Sequence, residues 1–178
     1  MTDALLGRDS LRQAFTLLAE KLGRKNVVGD SHVCGGAAMV LAVGSRAATR
    51  DVDAVCEPDT QVLDAAHEGA KELGLPRSWL INQASTYVSG RAGRGTPVFD
   101  HPHLRAMTTP PEHLLAMKVR AARQTRDAAD IAFLVRHLGL DSVSAAEEIV
   151  SRFSPDEPLS TRSRMLVEDT VPGVESSG

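Results

Sequence analysis

Asp51 and Asp53 are the residues whose type and spacing point most directly to chemistry in this sequence. Alternate residues of a β-strand face the same side, so a strand here would present both carboxylates together, with Val52 on the opposite, apolar face. Two adjacent carboxylates repel each other unless a cation lies between them. Mg²⁺ suits such a pair, because it prefers oxygen ligands and commonly completes its shell with phosphates. The pair predicts a magnesium site; a simple ion pair with Arg46 or Arg50 is the structural alternative.

A second pattern, Gly35-Gly36, precedes the two aspartates. Glycine lets the backbone approach a phosphate closely, and the amides at the start of a helix beginning at Ala37 would bind an anion. A metal on one side and amides on the other would hold a triphosphate for in-line attack at phosphorus. Each pattern alone is common, since a Gly-Gly pair is usually only a turn, and it is their order and spacing that indicate a site.

The elements that must position these residues form a mixture of strands and helices. The pattern predicts a first helix that is capped by Asp9-Ser10 and runs to about Gly23, with Leu11, Phe15, Leu18 and Leu22 on one face. The elements predicted around the two motifs are a strand at 31–34, a helix at 37–43, a strand at 51–56 and a helix ending near 73. Further short strands are expected at 87–88, 97–99 and 104–107, followed by helices from 109, over 126–137 and, capped at 141–142, to 153.

The sequence therefore predicts an α+β fold with a C-terminal helical segment. We expect one domain over residues 1–153, with a core at about 25–108, helices at about 110–153 and a flexible tail at 154–178.

Composition excludes several classes of protein. The chain has 178 residues, of which 42% are hydrophobic and only 3% aromatic, so platforms of stacked aromatic rings for single-stranded nucleic acid are not expected. The net charge of -3 does not indicate a nucleic-acid partner, although a local basic patch is compatible with it. No signal peptide or membrane-length apolar run is present, and we expect a cytoplasmic protein with Cys34 and Cys56 reduced.

The first motif resembles the nucleotidyltransferase families grouped around AbiEii and the MenT toxins. The resemblance is carried by Gly35-Gly36-Ala37-Ala38-Met39, then Arg46, Thr49 and Asp51-Val52-Asp53-Ala54. A second signature of these families, a lysine followed by an Arg-Asp-x-x-Asp segment, is matched by Lys118 and by Arg126-Asp127-Ala-Ala-Asp130. The two signatures together span roughly residues 30 to 137.

The resemblance implies a DNA-polymerase-β-like nucleotidyltransferase core, a small mixed sheet flanked by helices. It implies that Asp51 and Asp53 bind Mg²⁺ and that Lys118 holds the triphosphate. The families often have Ser or Thr after the two glycines, where this chain has Ala37, so a phosphate contact there must come from the backbone or from elsewhere. Arg46 is either a phosphate contact or a surface arginine.

A third carboxylate is common in enzymes of this fold, and Asp100 and Asp127 are both candidates. On one unbroken helix, Lys118 and Asp127 would lie two and a half turns apart, on opposite faces. Either the helix breaks near residues 124–125, which we expect, or Asp127 does not share a site with Lys118. The spacing of Arg126 and Asp130 also fits a plain intrahelical ion pair.

The function that the resemblance implies is transfer of a nucleoside monophosphate from a nucleoside triphosphate to a hydroxyl, with the tRNA 3′ end as acceptor. The protein would be the toxin of a toxin–antitoxin pair, with a cognate antitoxin as partner. A local basic surface for tRNA would be formed by the arginines at 46, 50, 91, 94, 120 and 123. Modification of a protein hydroxyl, and a catalytically inactive module that binds a nucleotide or a partner, are the alternatives.

Three further features have structural explanations. His101 and His103 lack the additional ligands of a metal site. Cys34 and Cys56 fit buried positions as small apolar residues. Trp79 belongs to a tryptophan-leucine-asparagine segment associated with these families, and core packing is its expected role.

Overall fold

The structure, a computed structural model, describes residues 5–82, 95–121 and 124–171, with the backbone alone for 124–126. Where the sequence predicts one domain over residues 1–153, contacts divide the chain into two compact units, with a boundary between Thr109 and Pro110. Their described parts are residues 5–82 and 95–109 for the first unit, and 110–121 and 124–171 for the second. The predicted strand at 87–88 and the arginines at 91, 94 and 123 lie outside the described residues.

The first unit contains all the strands formed by the described residues, together with three α-helices. The strands are β1 (Leu6–Gly7), β2 (Gly29–Cys34), β3 (Ala48–Thr49), β4 (Val52–Glu57), β5 (Leu80–Ile81), β6 (Thr96–His101) and β7 (Leu104–Thr108). The helices are α1 (Arg8–Arg24), α2 (Gly35–Ala38), which continues as a π-helical turn (Met39–Val43), α3 (Asp59–Glu72) and a short 3₁₀ turn (Arg77–Trp79).

Five of the strands form one mixed sheet in the order β5-β4-β2-β7-β6, and β1 pairs with β3 in a separate two-stranded sheet. Strand β2 is central: it runs antiparallel to β4 and parallel to β7. The edge strands pair in opposite senses, β5 parallel to β4 and β6 antiparallel to β7. The predicted α+β class is therefore confirmed, and the end of β2 at Cys34 delivers the chain to Gly35 at the middle of the sheet.

The two faces of this sheet differ in burial. On one face, Val33, Val52, Ala54, Leu104 and Ala106 are completely buried, and helices α1 and α3 contact strands from the same sheet. Of the residues that alternate with them, Cys34 is buried and the others are half-buried or exposed. Because neighbouring residues of a strand face opposite sides, the charged side chains of β2 and β4 share the second face, whereas Ser31 lies on the buried one.

Helix α1 has the predicted apolar face, since all four residues assigned to it are buried to within 1%. Its start differs from the prediction: the N-cap is Gly7, without a side-chain cap, and the helix begins at Arg8 ahead of the expected Asp9-Ser10 cap. The early start is accounted for by β1, which pairs with β3 and leads the chain directly into the helix.

Around the two motifs the elements are shifted by a few residues. Strand β2 starts at Gly29, earlier than expected, because Gly29 pairs with Leu104 of β7 and residues 30–33 pair with both β7 and β4. The following helix begins at Gly35 instead of Ala37 and ends at Gly44, whose φ of +71° is left-handed. Strand β4 begins at Val52, so Asp51 lies immediately before it.

The second unit consists of helices. They are α4 (Pro111–Ala121), α5 (Gln124–His137), α6 (Val143–Phe153) and α7 (Thr161–Thr170). The predicted cap of α6 is confirmed in detail, since the Ser142 hydroxyl accepts a hydrogen bond from the Ala145 amide. No helix among the described residues combines the length and apolar character required to cross a membrane.

The flexible tail predicted from residue 154 is wrong for helix α7. Ser160 caps this helix by accepting a hydrogen bond from the Ser163 amide, and Leu166 and Val167 are buried. The segment before it is also held, because Arg120 donates to the Ser154 carbonyl over 3.1 Å and pairs with Glu157. The segment is polar overall, and the prediction from its composition did not take account of the one apolar turn, Leu166 and Val167, that packs the helix against the second unit's other helices.

Candidate functional site

Gly35 lies directly beside Asp53 in the first unit. Cys34 pairs with Asp53 across β2 and β4, and the chain then turns at Gly35 with a left-handed φ of +62°. A Cβ atom added to Gly35 would lie 3.3 Å from Oδ2 of Asp53. Glycine is therefore suited to this corner for two reasons, the backbone conformation and the space that the carboxylate occupies.

Gly36 is enclosed from a different side. A Cβ atom there would lie 2.7 Å from Oγ1 of Thr49 and 3.0 Å from Nη1 of Arg46. Thr49 is buried, and its hydroxyl donates a hydrogen bond to the Asp51 carbonyl over 3.1 Å. The structure thus brings four residues of the first motif together with the aspartate segment, although they are separated in sequence by the π-helical turn.

Asp51 and Asp53 show the alternation expected of a carboxylate pair. Through residues 51–56, half-buried positions alternate with buried ones, and both aspartates are half-buried while Val52 is buried. Ala37 is completely buried and provides no hydroxyl at the turn.

The chemistry of these residues fits Mg²⁺. Carboxylate oxygens are ligands that this ion prefers, and one or two of them are commonly sufficient when substrate phosphates complete the shell. Among the described residues there is no group of three or more His, Cys, Asp or Glu side chains that could hold a metal ion. The Asp53 carboxylate also borders a glycine corner whose missing Cβ leaves room next to it.

Asp100, one of the two candidates for a third carboxylate, lies at the other end of the sheet from Asp53. It pairs with Arg105 on β7, and Arg105 pairs with Asp30 near the start of β2. Asp30 is four residues before Cys34, which corresponds to roughly 13 Å along a strand. Its carboxylate forms a two-point ion pair with Arg105, and this hydrogen-bonded contact raises the pKa of Arg105.

Lys118 and Asp127, from the second signature, are in contact within the second unit. Nζ of Lys118 lies 3.2 Å from Oδ1 of Asp127 and 2.7 Å from Oδ2 of Asp130. All three side chains are 5–8% exposed. The contact confirms that α4 and α5 are not one continuous helix, because residues nine apart on a single helix would face opposite sides.

The sequence pattern pairs Asp130 with Arg126 and does not single it out as a site residue. A signal was present: Asp127 and Asp130 are three residues apart, so they lie on the same face of α5 and can approach one cation together.

The expected core packing of Trp79 is confirmed, and the structure also gives contacts for His101 and His103. Trp79 is buried and donates its indole N–H to the Ala66 carbonyl over 3.1 Å. Nδ1 of His101 accepts a hydrogen bond from the His103 amide over 3.2 Å, and Nδ1 of His103 lies 3.1 Å from the Val27 carbonyl. These contacts use one ring nitrogen of each histidine.

Both cysteines lie on the sheet as buried, free thiols. Cys34 donates to the Asp53 carbonyl over 3.3 Å, and burial raises the pKa of Cys56. A raised pKa keeps the Cys56 thiol protonated and poorly nucleophilic.

His32 was not singled out from the sequence. It precedes Cys34 by two residues on β2, and therefore shares the face of the sheet that carries Asp53. Its Nε2 lies 3.0 Å from Oγ1 of Thr109. Burial lowers the pKa of His32, which favours the neutral imidazole.

The chain matches no protein-family model, no curated protein and no solved structure.

Proposed function

We propose that this chain is a magnesium-dependent nucleotidyltransferase that moves a nucleoside monophosphate from a nucleoside triphosphate to an acceptor hydroxyl. The observation that carries the proposal is the left-handed Gly35 corner set against the Asp53 carboxylate, 3.3 Å from a Cβ atom built on the glycine. A motif that also occurs by chance in sequences is here assembled in space, with a carboxylate next to a backbone turn.

In the proposed reaction, the acceptor oxygen attacks the α-phosphorus of the triphosphate. A new oxygen–phosphorus bond forms, the bond to the β-phosphate bridge breaks, pyrophosphate leaves and the acceptor proton passes to solvent. Mg²⁺ would neutralise charge on the phosphates. Asp51 and Asp53 would hold the ion, while the backbone of Gly35, Gly36 and Ala37 would orient the phosphates.

Two cationic side chains have proposed phosphate roles. Arg46 reaches the glycine turn, with Nη1 3.0 Å from the Cβ position of Gly36, and a guanidinium there suits phosphate oxygens. Lys118 is assigned to the triphosphate by the family resemblance alone. Its ammonium is flanked by Asp127 and Asp130, so binding a phosphate would require it to exchange one of these partners.

The acceptor that the resemblance supports best is the 3′ end of tRNA, in a cytoplasmic toxin controlled by a cognate antitoxin. The low aromatic content agrees with an RNA surface that holds phosphates more than it stacks bases.

A second candidate is a module that binds a nucleotide or a partner without transferring a nucleotide. Two observations favour it: Ala37 supplies no hydroxyl to the turn, and Lys118 is buried between two carboxylates. Both candidate functions use the carboxylate pair, but only the nucleotidyltransferase would transfer a nucleotide to an acceptor.

The test is transfer of label from each of the four α-³²P-labelled nucleoside triphosphates to total tRNA in the presence of Mg²⁺. We expect the wild type to label tRNA, and Asp53→Asn to reduce the rate at least about 100-fold, more than the loss of an outer-shell residue usually does. Asp100→Asn, an exposed aspartate on the same sheet, is the matched control and should retain the wild-type rate.

Mass spectrometry of the protein after the same incubation tests for a protein hydroxyl as acceptor. Nucleotide binding without labelled RNA or protein would favour the binding module. An intact wild type that neither binds nor transfers any of the nucleotides would end both candidates.

A further inference from the structure

Glycine is required at position 36 for a different structural reason than at position 35. Its φ is not in the left-handed region, as that of Gly35 is, so backbone conformation does not require glycine there. Space does, because a Cβ atom would lie 2.7 Å from the Thr49 hydroxyl and 3.0 Å from the Arg46 guanidinium. The sequence pattern predicts glycine here for close approach of a phosphate, but in the structure the space next to Gly36 is occupied by the protein itself.

The Thr49 hydroxyl connects two segments of the site. It lies against Gly36 at the start of α2 and donates its hydrogen bond to the carbonyl of Asp51. Thr49 is only 4% exposed, and its short strand β3 is tied to β1 by the pairing of Thr49 with Leu6. The backbone of Thr49 is therefore fixed by strand pairing and its side chain by burial, so the hydroxyl has little freedom to move away from Gly36.

A threonine hydroxyl has one proton to donate. Since that proton is directed at the Asp51 carbonyl, the hydroxyl cannot donate to a phosphate at the same time. Its geometry therefore suits positioning better than substrate contact.

We propose that Thr49 is a positioning residue, which fits into the space left by Gly36 and fixes the glycine turn relative to Asp51 and Asp53. The inference rests on the proposed function for its purpose, because the carboxylates are positioned for a metal. The Thr49 hydroxyl can occupy this position only because Gly36 has no side chain, so we expect the two residues to act as one unit.

The experiment measures Mn²⁺ binding by the full chain, by electron paramagnetic resonance titration, so that it does not depend on turnover. Thr49→Val keeps the shape of the side chain and removes the hydroxyl, and we expect it to weaken Mn²⁺ binding about tenfold, at the lower end of outer-shell effects. Thr49→Ser restores the hydroxyl and should stay within about twofold of the wild type. If Thr49→Val does not fold, Thr49→Ala replaces it.

Gly36→Ala tests whether the two positions act together. Alone, it should also weaken Mn²⁺ binding about tenfold, and in combination with Thr49→Val it should add little, because residues in contact do not contribute independently. Circular dichroism at the titration temperature establishes that each variant is folded. If Thr49 and Gly36 act as a local unit, the variants should remain folded but bind Mn²⁺ more weakly. In the transfer reaction they should also need a higher Mg²⁺ concentration for the half-maximal rate.

The outcomes separate this inference from the proposed function. If Asp53→Asn abolishes Mn²⁺ binding while Thr49→Val binds like the wild type, the positioning role is overturned and the proposed function stands. Losses that multiply in the double variant also overturn it. If Mn²⁺ binding survives Asp53→Asn, the metal site itself is overturned, and the role of Thr49 with it.

Discussion

Gly35 and Gly74 have nearly the same left-handed φ, +62° and +63°, but different surroundings. An added Cβ would meet Asp53 at Gly35 and nothing within 4 Å at Gly74. Alanine at either position should destabilise the fold by about 1–2 kcal/mol through backbone strain. Only Gly35→Ala should also weaken Mn²⁺ binding and slow nucleotide transfer, because only there does the methyl group displace a carboxylate.

Thermal unfolding and the Mn²⁺ titration together check this pair of variants. Gly74→Ala is the control for strain, since it changes stability without touching the site. Equal Mn²⁺ affinities for the two variants would show that the Gly35 corner is only a turn.

At the scale of single residues, the carboxylate pair was open to prediction and its neighbours were not. Strand alternation is a local property, so the half-buried state of Asp51 and Asp53 around buried Val52 follows from three consecutive residues. The approach of Thr49 to Gly36 depends on how the chain returns after the π-helical turn. No pattern in the sequence specifies the path of such a return.

Between α4 and α5, the buried cluster of Lys118, Asp127 and Asp130 yields a prediction about stability. Lys118→Met removes the ammonium from between two buried carboxylates and should destabilise the protein by about 3–5 kcal/mol. The triple variant that also carries Asp127→Asn and Asp130→Asn should recover most of this loss, because the two carboxylates that faced the lost ammonium are then neutral amides. Denaturant unfolding of both variants measures the difference.

This measurement also decides how a transfer assay on Lys118 variants is to be understood. A Lys118→Met protein that is as stable as the wild type would contradict the structural role of the cluster. A stable triple variant without activity would favour the triphosphate role of the lysine.

Helix α7 yields a prediction that opposes the flexible tail expected from composition. Leu166 is 6% exposed, whereas its neighbour Met165 is 56% exposed. Leu166→Ala should destabilise the protein by roughly 2–3 kcal/mol, as large-to-small substitutions in a core do. Met165→Ala is the matched control on the same helix and should change stability by less than about 0.5 kcal/mol. Similar unfolding midpoints for the two variants would mean that α7 is not docked.

Helices α1 and α3 are linked by an ion pair whose effect depends on pH. Nζ of Lys25 lies 2.6 Å from Oε1 of Glu68, and this hydrogen bond lowers the pKa of Glu68 from its ordinary 4.5. The pair therefore stabilises the fold above pH 4.5, and its contribution is lost as the pH falls through the lowered pKa.

We expect Glu68→Gln to lower the melting temperature slightly at pH 7, since exposed pairs contribute little. The difference from the wild type should shrink as the pH falls below 4.5 and also in high salt, which screens the pair. A difference that persists at pH 3 would assign the effect to packing.

For the molecule as a whole, the α+β class and most elements were predictable because their signals are local. The apolar face of α1 and the Ser142 cap are examples. The division into two units and the docking of α7 were not, because each depends on which apolar residues meet across long stretches of chain. The same limit applies to the site. The strand register places Asp100 at the opposite end of the sheet from Asp53, and this register cannot be read from the sequence.

The overall charge makes the proposed RNA acceptor testable through salt. With 20 basic and 23 acidic residues, attraction to tRNA must come from local arginines, and each phosphate contact contributes about 0.7–0.9 to the slope of log affinity against log salt. Arg50 is exposed and directly precedes Asp51. Arg120 pairs with Glu157 and donates to the Ser154 carbonyl.

We therefore expect Arg50→Gln to weaken tRNA binding and to reduce this slope by about 0.7–0.9, while Arg120→Gln leaves the slope unchanged and lowers stability. Filter binding of labelled tRNA at several salt concentrations measures both slopes. Because Arg120 belongs to the predicted basic surface by sequence but is held inside the helical unit, the comparison separates arginines that contact RNA from those that hold the fold. Equal slopes for Arg50→Gln and the wild type would remove Arg50 from the acceptor surface.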